Sequence, residues 1–263
     1  MGKRSVLPKQ LKTPYFTGIT AKYKLQIAIL AIFLMLWLIF FAINPSGFSN
    51  PYTYTAMLSV APFTIIPALS LTYVIILGEI DLSFPSVMAL GALVLTLTWK
   101  TFGPTPLGLL LALSAGLLAG LLNGILITKF QIPSLIATIG TMFLWRGFIL
   151  VVTQGYGIPL GEYRGLPIYE MLVGRIGIIP VQIIWTVVIA LVLWVILNFH
   201  KFGAYVYYTG DNRIAAKMLG INTDKVIISV YMIHGAIAAF AGVLATLETV
   251  SYTHLTLPTT ERV

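Results

Sequence analysis

The sequence predicts an all-α membrane protein, a polytopic helical bundle of about seven transmembrane segments whose second or third span is broken or kinked. Three observations carry that prediction. Of 263 residues, 58% are apolar and 9% charged, where an ordinary soluble domain has about a quarter of its residues charged. Mean hydropathy is +0.95, and apolar runs long enough to cross a roughly 30 Å hydrocarbon core recur along the chain. Sixteen Lys and Arg against eight Asp and Glu leave a net charge of +8, and the cations sit in tails and loops. That is the positive-inside pattern, which calls for a lipid bilayer as partner and not for nucleic acid.

Seven apolar segments follow in order: 25–43, 56–77, 86–99, 107–127, 134–153, 178–197 and 226–247. Lys3, Arg4, Lys9, Lys12, Lys22 and Lys24 precede the first with no acid among them, so residues 1–24 form a basic tail on the cytoplasmic side. From that start, Lys129 and the loop carrying Lys201, Arg213, Lys217 and Lys225 fall inside, while Lys100, Arg164 and Arg175 fall outside. The first segment is too long for the core of a cleaved leader, and no clear A-x-A site follows it. In the second, Pro62 and Pro67 each remove a backbone donor and invite a kink. Ser59, Thr64, Ser70, Thr72 and Tyr73 put hydroxyls near those bends, which makes this segment the better pathway candidate. The third is short, so it is either half of a broken helix or extended by the polar stretch before it. Along the fourth, Gly108, Ala112, Gly116, Gly120 and Gly124 recur every four residues on one face and let another backbone approach closely. Residues 25–250 thus form one transmembrane domain.

Few polar residues interrupt this text. Glu79, Asp81 and Ser83 lie in Gly78-Glu79-Ile80-Asp81-Leu82-Ser83-Phe84-Pro85-Ser86. Asp81 there either caps a helix that begins near Phe84 or contacts a substrate or ion. Arg146 stands in the middle of the fifth segment, at a cost of roughly 2.5–3.5 kcal/mol on insertion scales. It needs either a structural partner inside the bundle or a place on a polar route. His234 reads as a hydrogen-bonded interior histidine before a proton relay. In the long cytoplasmic loop, Asp211 can cap a short helix over 212–219, and Gly220 supplies a left-handed stop. Arg213 and Lys217 then share a face, and the helix reads as a docking element or a solvated connector.

Several chemistries are excluded. No G-x-x-x-x-G-K-[ST] phosphate loop, H-E-x-x-H or G-x-S-x-G is present, so the chain reads as a transporter subunit and not as an enzyme. Zero cysteines remove disulfides, thiolate metal sites and cysteine nucleophiles. No cofactor or metal is expected, and any ATP would be used by a partner.

Three stretches together resemble the permease subunit of bacterial ribose-type, or monosaccharide, ABC importers. Gly78-Glu79-Ile80-Asp81-Leu82-Ser83 with Ser86 to Ala92 is similar to that family's G-G-I-D-L-S-x-G-S-x-x-A-L motif. Asn123-Gly124-Ile125-Leu126-Ile127, Ile132-Pro133-Ser134, Ala137 to Thr141 and Arg146-Gly147 resemble its N-G-x-L-I... I-P-x-x-I-A-T-L-G-T... R-G segment. Ala215-Ala216-Lys217-Met218-Leu219-Gly220 resembles its cytoplasmic E-A-A-x-x-x-G loop. The resemblance implies a sugar permease of the inner membrane, with a second permease chain (identical or homologous), ABC ATPase subunits and an extracytoplasmic sugar-binding protein as partners. It also implies that Arg213, Ile214, Ala215, Ala216, Lys217, Met218, Leu219 and Gly220 form a coupling helix seated on the ATPase. Glu79, Asp81, Ser83 and Arg146 are then pathway candidates. Glu79 departs from the family's second glycine, Phe84-Pro85 from its small pair, and Ile214 stands where a glutamate often completes a capping box with Asp211. An ion-coupled carrier using Glu79, Asp81, Arg146 and His234 as its relay is the competing class. Residues 251–263 break from the apolar text and resemble a translated adapter tail, so the chain is expected to be a C-terminally truncated permease.

Overall fold

The computed structural model describes residues 23–252; the basic stretch 1–22 and the segment 253–263 lie outside the described residues. Two units divide the chain after Tyr54. In the first, α1 (Lys24–Ile43) is apolar on every side and buries none of its residues, a composition suited to hydrocarbon. Asn44 ends it and starts α2 (Pro45–Phe48), its Oδ1 accepting from the Gly47 amide at 3.0 Å. The Tyr54 hydroxyl donates to the Phe48 carbonyl at 2.6 Å and fixes the following turn.

The second unit holds the bundle. α3 (Pro51–Val60) and α4 (Pro62–Ile76) make one span bent by 41°. The break falls at Ala61, where Pro62 opens the new helix, while Pro67 is carried inside α4. Next come α5 (Phe84–Phe102), α6 (Pro106–Thr128) and α7 (Ser134–Thr153). A connector follows with a 3-10 turn (Gly161–Tyr163), α8 (Pro167–Val173) and a small hairpin, β1 (Arg175–Ile176) with β2 (Ile179–Pro180), antiparallel with Ile176 opposite Ile179. The chain closes with α9 (Val181–Phe199), α10 (Lys201–Asp211), α11 (Arg213–Met218) and α12 (Thr223–Tyr252).

Among the described residues six helices are long and apolar enough to cross a membrane, and the bent pair makes up to seven. The broken span is therefore the second. The third is a full helix of 19 residues, because it starts at Phe84 and runs on to Phe102, past both ends of its apolar segment.

α12 is the most buried of these spans, and the glycine stripe of α6 explains how its backbone comes so close. A Cβ placed on Gly120 would collide with the Tyr231 carbonyl, one on Gly116 with the Gly235 carbonyl, and one on Gly124 would stand 2.8 Å from the Ile228 Cα. Without a hydrophobic force between helices in lipid, such close contact supplies the dispersion that holds them. The Tyr73 hydroxyl on α4 donates to the Leu193 carbonyl of α9 and ties the bent span to its neighbour.

Ion pairs sort to the two ends of this unit as successive crossings require. Lys129 meets Asp224 at 3.2 Å and Arg213 meets Glu79 at one end. Lys100 meets Glu162 at 2.8 Å at the other, where the Tyr163 hydroxyl also donates to the Trp99 carbonyl at 3.0 Å.

Candidate functional site

The loop between the bent span and α5 is the most heavily bonded polar element of the bundle. Gly78, at φ +74°, turns the chain out of α4. The loop backbone is then held from other helices. Ile80 N donates to Ser134 Oγ and Leu82 N to Thr138 Oγ1, both at 3.2 Å, and the Tyr231 hydroxyl donates to the Ile80 carbonyl at 3.0 Å. Asp81 is buried, and its Oδ1 accepts from Ser83 N at 2.7 Å and Ser83 Oγ at 2.6 Å. Asp81 thus closes a local turn onto Ser83, the N-cap residue, and sets a carboxylate just before a helix that opens at Phe84 with Pro85 in its first turn, but makes no bond to the first helical amides.

From Ser83 a side-chain chain runs into the bundle. Asn123 Nδ2 donates to Ser83 Oγ at 2.8 Å, and Thr141 Oγ1 donates to Asn123 Oδ1 at 2.6 Å. All of these residues are buried. In the sequence, Asn123 stands out only as part of a motif. Its signal was its isolation, since a lone amide in an otherwise apolar span must find partners.

On the other side of Asp81, His234 Nε2 lies 3.7 Å from Asp81 Oδ2, and His234 Nδ1 lies 2.8 Å from Ser70 Oγ. Ser70 also donates to the Pro67 carbonyl at 3.0 Å, so the proline turn of α4 is linked through His234 to α12. The interior role expected for His234 matches this geometry.

α11 differs from expectation at its cap. Asp211 is the last residue of α10, and Asn212 is the first extended residue, with φ −154° and ψ 103°. Asn212 Oδ1 accepts from both Ile214 N and Ala215 N at 3.0 Å. Asp211 and Asn212 are equally good caps by chemistry; the length of α10 decides between them. With the cap at 212, Ile214 no longer occupies the capping-box position. Gly220 does supply the stop, at φ +80°.

The faces of α11 also divide differently. Ala216 is 1% exposed and packs into an inner cluster with Val206, Ile221 and Val226, so it anchors the helix and is not available to a partner. Ile214, Met218 and Leu219 are 70–83% exposed. Arg213 turns inward: its guanidinium pairs with Glu79 and donates to the Leu77 carbonyl at 3.4 Å. Together with Lys217, Gln131, Ser134 and Asp224, this pair lines a pocket of about 440 Å³.

Of the two readings of Arg146, a partner inside the bundle or a place on a polar route, the described residues supply no partner. It is exposed on α7 and has no ion pair or hydrogen bond among the described residues. The four groups of the carrier relay are accordingly not brought together. Asp81 and His234 are neighbours, Glu79 belongs to Arg213, and no ion pair joins Arg146 to any of them. At the far end, Gln182 Nε2 donates to Glu248 Oε2 at 2.6 Å in a buried contact that joins α9 to α12 and that no local pattern announces.

Residues 53–260 match the model of a family described as branched-chain amino acid transport system / permease component. The chain is 33% identical over 220 residues to the autoinducer 2 import system permease protein LsrC of Yersinia enterocolitica, covering 83% of this chain and 58% of that protein. It is 30% identical over 235 residues to the xylose/arabinose import permease protein XylH of Sulfolobus acidocaldarius, covering 86% and 63%. It therefore spans less than two thirds of the length of either relative. No solved structure matches the chain.

Proposed function

This chain belongs to the family of branched-chain amino acid transport system permease components, and from that premise we propose that it is the membrane subunit of an ATP-driven sugar importer. Its cargo is a pentose or hexose. The name of one relative, an import permease for xylose/arabinose, supports that class; the other is named for autoinducer 2 import. The chain sits in the bacterial inner membrane with its N-terminus in the cytoplasm. A second permease chain completes the path, and an extracytoplasmic binding protein delivers cargo. Separate ABC ATPase subunits hydrolyse the nucleotide, so this chain needs no cofactor of its own.

The observation that carries the proposal is the division of α11 into two faces. One presents Ile214, Met218 and Leu219 outward for a partner; the other hooks Arg213 onto Glu79, at the loop that joins the bent span to α5. Movement of a partner gripping the outer face is thereby delivered to the loop whose bonds run through Asp81, Ser83 and Asn123. The bundle then shifts between two packings, one open outward and one inward. Glu79, Asp81 and Ser83 serve that inner gate, and Arg146 serves the path itself.

The test is a substitution on the outer face, where it leaves the fold alone. Met218→Glu should insert normally, lose ATPase association and lose ATP-dependent uptake in vesicles. Unchanged uptake by this variant rejects the docking assignment. Uptake that persists without ATP and collapses with an uncoupler rejects the ABC class in favour of an ion-coupled carrier.

A further inference from the structure

Two helices begin on the wall of one cavity. Ser134 opens α7 and Thr223 opens α12, and both line the pocket of about 440 Å³ beside α11, a volume within the range that takes metabolite-sized ligands. Pro133 offers α7 no side-chain cap, and in α12 Asn222 Oδ1 accepts from Lys225 N at 3.0 Å. The amides of the first two residues of each helix carry no hydrogen bond among the described residues. Such amides, backed by the helix dipole, favour an anion beside them.

A second observation is independent of the helix ends. Thr223 is 1% exposed, and its Oγ1 has no hydrogen-bond partner among the described residues. A buried hydroxyl is costly to leave unpaired, and the cavity that Thr223 borders has room for the missing partner.

The formal charges set the sign of that partner. Glu79 is matched by Arg213, and Asp224 by Lys129 at 3.2 Å. Lys217 adds a further cation to the same wall, so one ammonium and two helix starts stand in excess. A phosphomonoester brings nearly two negative charges and three acceptor oxygens, enough to meet Lys217, the Thr223 hydroxyl and a helix amide together. Gln131 and Thr128, also on the lining, offer an amide and a hydroxyl to a polyol attached to it.

We propose that this cavity binds a small phosphorylated polyol, of pentose phosphate size, from the cytoplasmic side. Arg213 then faces two anions, Glu79 and the phosphate, and its hold on the loop after the bent span slackens, so the ligand restrains import. The side of the membrane and the effect on import rest on the permease reading above; the site itself stands on the cavity.

Equilibrium dialysis of labelled D-ribose 5-phosphate against the intact transporter in detergent reads the site. Saturable binding is expected, with inorganic phosphate competing more weakly and D-ribose not at all. Thr223→Val removes the orphaned hydroxyl and should keep the parent's thermal midpoint or raise it, while weakening binding about ten-fold; Thr223→Ser should retain binding. Lys217→Ala, a change at an exposed side chain, should weaken binding at least as much. Absence of saturable binding overturns the proposal. Binding that both Thr223→Val and Lys217→Ala leave intact also overturns it, since the ligand then sits on the ATPase. Displacement by a short-chain phosphatidic acid more readily than by unlabelled D-ribose 5-phosphate overturns it in favour of a lipid headgroup.

Transport supplies a separate measurement. D-ribose 5-phosphate trapped with ATP inside vesicles should lower D-xylose uptake at least two-fold, and vesicles carrying Thr223→Val should resist. Undiminished uptake by the parent overturns the effect on the tether. A chain that binds the phosphate yet shows no ATP-dependent uptake fails the permease reading and keeps the site, so the two failures stay distinct.

Discussion

Arg213 and Glu79, separated by 134 residues, form an ion pair that fastens α11 to the loop after the bent span. The two partners are unequal: the Glu79 side chain is 8% exposed and that of Arg213 44%. Losing the arginine strands a buried carboxylate, whereas losing the carboxylate only frees an arginine toward water.

The two deletions should therefore differ in stability and agree in function. Arg213→Ala should cost about 1–3 kcal/mol, the penalty for an unsatisfied buried group, and Glu79→Gln less than half of that. Thermal unfolding in detergent reads the difference. Both should uncouple ATPase activity from uptake, because each cuts the same tether. Equal midpoints with full coupling would show that the pair does neither.

The α6 stripe makes a sharper contrast. Gly120→Ala drives a methyl into the Tyr231 carbonyl, and backbone cannot move aside as a side chain can. It should destabilise by about 3 kcal/mol or more, at the upper end of overpacking costs. Gly140→Ala and Gly147→Ala on α7 meet no atom within 4 Å and should be neutral or slightly stabilising, since alanine favours the helix. Folded yield after detergent extraction separates the two classes.

What was legible in the sequence follows from the range of each interaction. Span count, the break at Pro62, the start of α5 near Phe84 and the close face of α6 are local matters of composition, proline chemistry and period, and the structure agrees with them. The direction of Ala216 and the choice of Asn212 over Asp211 as cap depend on where α10 ends, a matter of packing. The Arg213 tether joins residues more than a hundred apart, and nothing in the spacing of either motif announces it. Arg146 was visible as costly from sequence, but whether a neighbour satisfies it is a question only the packed bundle answers.

The network at Asn123 makes a third prediction. Asn123→Leu removes the donor to Ser83 and the acceptor of Thr141, while Ser83 Oγ keeps its bond to Asp81 and Thr141 Oγ1 its 3.3 Å bond to the Thr138 carbonyl, for a cost of about 1–3 kcal/mol from two lost hydrogen bonds. Asp81→Asn should be milder than Asp81→Ala, because an amide oxygen can still accept from Ser83 N and Oγ. If Asp81→Ala melts no earlier than Asp81→Asn, the carboxylate is not what holds the loop.

At the far end, pH should act through Glu162. Lys100 Nζ donates to Glu162 Oε1 at 2.8 Å, and this bond holds the Glu162 carboxyl below its ordinary range. A carboxyl depressed in the folded state stabilises fully above its unfolded pKa, about 4.3, and loses that contribution as pH falls through the lower folded value. The thermal midpoint of the parent should thus exceed that of Glu162→Gln by a constant margin from about pH 7.5 to 5.5, and the margin should shrink below about pH 4.5. Added salt should narrow it at every pH, because both partners face solvent. The turn itself should stay docked throughout, since the Tyr163 ring packs edge-on against Trp99 at 5.6 Å and its hydroxyl still donates to the Trp99 carbonyl. A margin that instead grows on acidification would mean that Glu162 is stabilised in its protonated form, and that Lys100 does not hold the charge.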